Sequence, residues 1–191
     1  MKVNEIFYSL QGEGYHSGEA AVFVRFSGCN LRCPFCDTHH ESGVDMSEDE
    51  IIEAVVQFPA RLVVVTGGEP SLQLTATLVD ALHKAGKYVA VETNGTHPLP
   101  ETVDWITLSP KESYVDGAKV VLERADEIKV VYDGVHDPII PEQEANILSL
   151  QPMDTGREAN NARITAATVE YIKAHPQWRL SLQQHKYLGI R

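Results

Sequence analysis

Cys29, Cys33 and Cys36 lie within eight residues, as Cys-Asn-Leu-Arg-Cys-Pro-Phe-Cys, and the chain has no other cysteine. Three thiolates at this spacing can hold three corners of a four-iron cubane and leave the fourth iron open, whereas a structural iron–sulfur centre takes four cysteines. An incomplete cage directs chemistry to the missing corner. The same loop admits two other readings. His39 or His40, just downstream, would complete a Cys3His zinc site, the mark of a non-catalytic zinc-binding interaction module. A disulfide would leave one thiol over, in a chain with no secretory leader at Met1.

Other polar motifs recur further along: Thr66-Gly67-Gly68-Glu69-Pro70, Glu92-Thr93-Asn94-Gly95, Ser109-Pro110-Lys111 and Gln151-Pro152-Met153-Asp154. Paired glycines let a backbone approach a ligand closely, with amide groups turned toward its polar atoms. Taken singly, each motif reads equally well as turn punctuation by Gly, Pro or Asn-Gly. Phe35, beside the last cysteine, reads either as core packing or as a ring that shields a flat ligand.

These motifs must be positioned by the elements that precede them. Ala20 to Ser27 reads as a first strand running into the cysteine loop. Ser47 and Glu50 form a capping box ahead of Ile51, Ile52, Val55 and Val56 at helical spacing. Arg61 to Thr66 is a continuous apolar strand of the buried parallel type, and a helix is expected from Ser71 to Ala85. Further strands are expected near Lys87 to Glu92, Asp104 to Ser109, Glu127 to Val131, Asn146 to Leu150 and Trp178 to Gln183, with a helix over Arg163 to Ala174. Glu112 to Asp126 reads either as a short helix or as an irregular insertion. This alternation predicts an α/β fold with a largely parallel sheet, and the motifs fall at the carboxyl ends of its strands, where such sheets build their sites. A closed eightfold barrel needs about 250 residues, so this 191-residue chain predicts a partial, open TIM-like barrel of about six parallel strands with reduced helices, in a single domain spanning residues 1–191.

Composition narrows the class further. The chain is 43% hydrophobic and 23% charged, as a soluble globular domain is. It carries 16 basic and 27 acidic residues, a formal charge of −11. That balance opposes the phosphate-neutralising surface that nucleic-acid binding requires. No apolar run is long enough to span a bilayer, so a cytoplasmic protein with reduced thiols and a small-molecule substrate is expected.

The C-x3-C-x2-C spacing with Phe35 resembles the signature of the radical S-adenosylmethionine enzymes. The segment Glu5-Ile6-Phe7-Tyr8-Ser9-Leu10-Gln11-Gly12-Glu13-Gly14 and the approach Phe23-Val24-Arg25-Phe26-Ser27-Gly28-Cys29 are, more narrowly, similar to the 7-carboxy-7-deazaguanine synthases within that group. Cys36-Asp37-Thr38 and the ending Gln183-Gln184-His185-Lys186 agree, so the likeness runs through nearly the whole chain. Its short length departs from the family's shape.

The resemblance implies a partial-barrel fold, a 4Fe-4S cluster held by Cys29, Cys33 and Cys36, and S-adenosylmethionine on its open iron. Phe35, Gly68, Ser109, Pro110, Lys111, Gln151, Pro152, Met153 and Asp154 would contact that cofactor. It implies a radical ring contraction of 6-carboxy-5,6,7,8-tetrahydropterin to 7-carboxy-7-deazaguanine with loss of ammonia, in queuosine and deazapurine biosynthesis. Leu10, Gln11, Gly12, Glu13, Arg25, Thr66 and the terminal carboxylate of Arg191 would meet this pterin substrate. Arg25 suits the substrate carboxylate because a guanidinium grips it bidentately, although a strand arginine in a surface ion pair is the plain alternative. Thr38 would be the magnesium (Mg2+) ligand, with His185 chiefly structural. A one-electron reductant such as flavodoxin or ferredoxin and a homodimer are implied as partners. An activase that installs a glycyl radical in a partner protein shares the size and cysteine spacing, but the Gln11-Gly12-Glu13-Gly14 motif and Arg25 suit a small anionic substrate better.

Overall fold

Valine dominates the apolar segments Val22-Phe23-Val24, Leu62-Val63-Val64-Val65 and Val89-Ala90-Val91, and β-branched runs of this kind favour strands covered on both faces. The computed structural model describes Met1–Arg191. In chain order the elements are β1 (Lys2–Leu10), β2 (Ala20–Phe26), β3 (Val44–Asp45), α1 (Glu48–Val56), β4 (Leu62–Gly67), a 3-10 turn (Pro70–Leu72), α2 (Ala76–Lys84), β5 (Tyr88–Thr93) and β6 (Trp105–Leu108). They continue as β7 (Glu127–Tyr132), β8 (Ile147–Pro152), α3 (Glu158–Ala174), β9 (Trp178–Leu180) and α4 (Gln184–Leu188).

All nine strands form one sheet in the order β3-β1-β2-β4-β5-β6-β7-β8-β9. Every pairing from β2 to β9 is parallel, while β1 runs antiparallel to β2 and β3. The parallel run therefore has seven strands, the last only three residues long. Because the edge strands β3 and β9 do not pair with each other, the fold is an open, partial TIM-like barrel of the α/β class. The connections β5–β6, β6–β7 and β7–β8 carry no helix, which is how so short a chain affords the strand count. No helix is long and apolar enough to cross a membrane.

Strand alternation sorts the residues onto two faces. The outer face and the helices share a core of 26 buried residues that includes Val22, Val24, Phe26, Ile51, Leu78, Ile128 and Leu150. The inner face holds a six-residue apolar group, Phe7, Ala21, Phe23, Leu62, Val64 and Ala90. Past it, the inner positions turn polar.

Several elements differ from expectation. β1 precedes the strand read as the first; its alternating exposure is that of an antiparallel strand, and it lacks the continuous apolar run that marks the others. The expected helix from Ser71 is divided: Glu69 caps a 3-10 turn at Ser71, and Thr75 restarts the chain as α2 by accepting from the Leu78 amide. The helix expected from Arg163 begins at Glu158, with no side-chain cap to mark it. The last strand stops at Leu180, so the chain does not end directly after it, and α4 intervenes before Arg191. Residues 109–126 carry neither helix nor strand, the irregular alternative. The Ser47–Glu50 capping box is present, with both reciprocal bonds formed.

Candidate active site

A cavity of about 680 Å³ opens along the inner face and the carboxyl-end rim. It brings together Cys29, Cys33, Phe35, Cys36 and Thr38 from the loop after β2, with Gly68, Ser109, Lys111, Gln151, Pro152, Met153 and Asp154 from later strand ends. Leu10, Gln11, Gly12 and Glu13 of the β1–β2 connection also line it, as do Arg25, Thr66 and Arg191. Of the residues that the resemblance assigns to cofactor, substrate or metal, only Pro110 does not line the cavity; it is buried.

The cysteine loop has no regular structure between Phe26 and Val44 and is held from outside. Asn4 donates its side-chain amide to the carbonyls of His39 (3.0 Å) and Ser42 (2.8 Å), and Gln73 donates to that of Ser27 at 2.7 Å. The Glu69 amide donates to the Gly28 carbonyl at 2.8 Å. A side chain at Gly68 would stand 2.0 Å from that carbonyl oxygen and 3.0 Å from Cys29 Cβ, so glycine is required for the two loops to meet. Glu69 is 1% exposed, and its carboxylate accepts from Ser71 N (3.0 Å), Thr93 Oγ1 (2.6 Å) and Asn94 N (2.7 Å). Glu69 is thus a clamp between strand ends, a role sequence reading left unassigned.

All three thiols are free, with Cys29 and Cys33 half-buried and Cys36 exposed, so the disulfide reading fails. Burial raises the Cys29 and Cys33 thiols above their ordinary value, and a bound metal would reverse this, since a coordinating thiol is deprotonated outright. No three His, Cys, Asp or Glu side chains converge on a single metal position, and His39 does not line the cavity that the thiols face. The three thiols face one cavity and lie near enough for their charges to act on one another, as ligands at three corners of one cluster must. Phe35 packs edge-on against Tyr114, with ring centroids 4.8 Å apart. Lys111 donates to the Ser109 carbonyl at 2.6 Å and hydroxyl at 2.5 Å, and burial pushes its ammonium down to about 8 despite the opposing pull of Cys33.

Deeper in the barrel lies a charge network centred on Lys129, 3% exposed. Its ammonium meets Glu13 at 2.5 Å and Glu92 at 3.2 Å. Glu13 also accepts from Gln183 (3.0 Å) and Gln151 (3.2 Å), while Gln11 donates to Glu92 at 2.8 Å. Burial alone would raise the Glu13 carboxyl; the Lys129 ammonium and the two amides override it and hold it down at about 2. Lys129 was not among the candidates from sequence. Its signal was there nonetheless, as a lone lysine within the buried strand Glu-Ile-Lys-Val-Val-Tyr, since unpaired lysines are almost never fully buried.

At the near end, Arg25 Nε donates to Glu5 at 2.9 Å. Arg191 also pairs with Glu5, and an oxygen of its terminal carboxylate accepts from Ser9 Oγ at 2.6 Å, so the chain end is seated on β1. On the opposite rim, Lys186 bridges Asp37 (2.8 Å) and Asp154 (2.6 Å), and its hydrogen bond is the chief cause holding the Asp154 carboxyl at about 2. Asp154 is therefore already engaged within the protein. His185 packs over Gly12, where a side chain would come within 2.4 Å of Nδ1, which fits a structural role.

Comparison with known proteins agrees with this geometry. Residues 23–109 match the radical SAM superfamily. A protein of Bacteroides thetaiotaomicron named 7-carboxy-7-deazaguanine synthase is 56% identical over 190 residues, covering 100% of this chain and 98% of that protein. One of the same name from Bradyrhizobium diazoefficiens is 42% identical over 215 residues, covering 99% of this chain and 98% of that protein. The crystal structure of QueE from Escherichia coli superposes with a TM-score of 0.78 at 30% identity, covering 96% of this chain and 94% of that one. The open parallel sheet and its three-cysteine loop define a radical S-adenosylmethionine enzyme, a class that uses a 4Fe-4S cluster and S-adenosylmethionine. Within that class the chain belongs to the 7-carboxy-7-deazaguanine synthase family. The Bacteroides relative shares the short length, whereas the alignment with the Bradyrhizobium relative runs over 215 positions against 191 residues here.

Proposed function

We propose that the protein converts 6-carboxy-5,6,7,8-tetrahydropterin to 7-carboxy-7-deazaguanine and ammonia by radical ring contraction. The observation that carries this reading is that one cavity is lined at once by three free thiols and by Arg25, in a chain of this family. Cys29, Cys33 and Cys36 would hold the 4Fe-4S cluster, and Phe35, Gly68, Ser109, Lys111, Gln151, Pro152, Met153 and Asp154 would line the S-adenosylmethionine site, with the buried Pro110 supporting it between Ser109 and Lys111. When bound, these cofactors supply the radical that abstracts hydrogen from the substrate.

The chain's own residues supply position. Arg25 grips the substrate carboxylate, since a guanidinium offers two parallel donors to it. Gln11 and Glu13 face the donor edge of the aminopyrimidinone ring, and Glu13 can accept there because Lys129 keeps it ionised. Leu10, Gly12, Thr66 and Arg191 close around the remainder. Thr38 would hold Mg2+, a hard cation that keeps several waters and takes few protein ligands. Cytoplasmic location, a homodimer and a flavodoxin or ferredoxin reductant rest on the family resemblance.

Anaerobic reconstitution with iron and sulfide, followed by incubation with the carboxytetrahydropterin, S-adenosylmethionine and reductant, with Mg2+ or a chelator, tests this. Deazaguanine product and ammonia should form in equal amounts, faster with Mg2+. Cleavage of S-adenosylmethionine with the pterin left intact overturns the assignment.

A further inference from the structure

Glu5 and Arg25 stand directly opposite each other in the antiparallel β1–β2 pair, yet the pairing that begins with Val3 against Phe26 would have placed Asn4 there. A register shift between Val3 and Glu5 makes the difference. Irregularities of this kind re-aim side chains next to sites. Here the displaced Asn4 turns to the cysteine loop, where it holds the His39 and Ser42 carbonyls. Glu5 is left facing Arg25 and accepts from its Nε at 2.9 Å.

We propose that Glu5 is a positioning residue for Arg25. By occupying Nε, it turns the Nη edge of the guanidinium toward the cavity, where that edge receives the carboxylate of the substrate. The inference rests on the pterin reading given above. Arg25 makes its ion pair within the protein through Nε alone, so both terminal nitrogens remain available as a fork. The side chains of Arg25 and Glu5 are 22% and 27% exposed, shielded enough for the pairing to fix orientation. Glu5 also pairs with the Arg191 guanidinium, which lies over the Phe7 ring at 4.8 Å. Two cations, Arg25 and Arg191, flank the one Glu5 carboxylate, and the Arg191 main-chain oxygen is held beside them by Ser9. Glu5 thereby links the seat of the chain end to the aim of Arg25.

The test measures binding to cluster-loaded protein, with S-adenosylmethionine and Mg2+ held constant, by calorimetry. Two ligands are compared: 6-carboxytetrahydropterin and tetrahydropterin without the carboxylate. Glu5→Ala should weaken the carboxylated ligand about tenfold, in line with a lost hydrogen bond to a charged group, and leave the other unchanged. Glu5→Gln, which keeps an acceptor for Nε, should recover most of that loss. In an Arg25→Ala background, Glu5→Ala should add nothing. Equal weakening of both ligands, or full affinity in Glu5→Ala, overturns the Glu5 assignment alone. Wild-type protein that fails to distinguish the two ligands overturns the pterin reading and this inference together.

Discussion

The two faces of the same sheet are built on opposite principles. The outer face shares one continuous 26-residue apolar core with the helices; the inner face has six apolar residues on its early strands and then Thr107, Glu127, Lys129, Ser149 and Gln151, all buried. Burying apolar area stabilises a fold at about 25 cal/mol per Å², whereas burying charges costs unless each is paired and hydrogen-bonded. Glu127 shows how fully the cost is met: it accepts from Thr107 (3.1 Å), Ser149 (2.5 Å) and the Tyr15 amide (3.1 Å). The outer face holds the barrel together and the inner face holds a charge pattern in place for a ligand.

Ile128 and Lys129 are neighbours on β7, one facing each way, and make the contrast measurable. Lys129→Met should have the largest effect, because it leaves the half-buried Glu13 and Glu92 without their cation; a broken buried pair costs about 3 to 5 kcal/mol. The sign of its pH dependence follows from Glu13, held at about 2 against an ordinary 4.5. A depressed carboxyl contributes stability that is present above 4.5 and lost as the pH falls toward 2. In Lys129→Met, burial, the largest influence on this carboxyl, is opposed only by the Gln151 and Gln183 amides, so the same carboxyl should move above 4.5, and the deficit against wild type should shrink as the pH falls. Urea unfolding at pH 7.5 and 5 reads both quantities. A deficit independent of pH would mean that Lys129 serves only as packing.

Ile128→Ala should cost about 2 to 5 kcal/mol, the range for truncating a large aliphatic side chain in a core; Ile128 is 0% exposed. Unlike the lysine variant, it should show the same deficit at both pH values, because no titrating group faces it. A marked pH dependence here would erase the distinction between the faces.

The outer face was the more legible of the two. Continuous Val, Ile and Leu runs announce parallel strands, and all seven are expected from the sequence, six of them within two residues at both ends and β9 three residues too long. The cysteine loop was legible for a different reason: three thiols at fixed spacing act through local geometry. The partners of the site were not, because they are distant in sequence. Glu5 meets Arg191 and Gln183 meets Glu13 across 186 and 170 residues, and nothing local marks such pairs. Lys129 did leave a trace, as a charge inside an apolar strand. α4 left none, since five polar and aromatic residues ending at Gly189 in left-handed geometry carry too little periodicity to register.

The smallest effect tests whether the outer layer can be altered without touching the site. Thr75 Oγ1 accepts from the Leu78 amide at 3.1 Å, capping α2, and donates to Glu48 of α1 at 2.5 Å. Thr75→Ala removes both bonds, and loss of such a cap costs about 0.5 to 2 kcal/mol. Thr75→Ser keeps the hydroxyl and should restore nearly all of it. Because α2 buries Leu78, Val79 and Leu82 in the outer core, neither variant should alter pterin affinity or the absorption of the reconstituted cluster. Unfolding curves measured beside ligand titrations separate the two faces. A shift in affinity that matches the lost stability would mean that the helical layer sets the shape of the cavity, and that the inner and outer faces do not act independently.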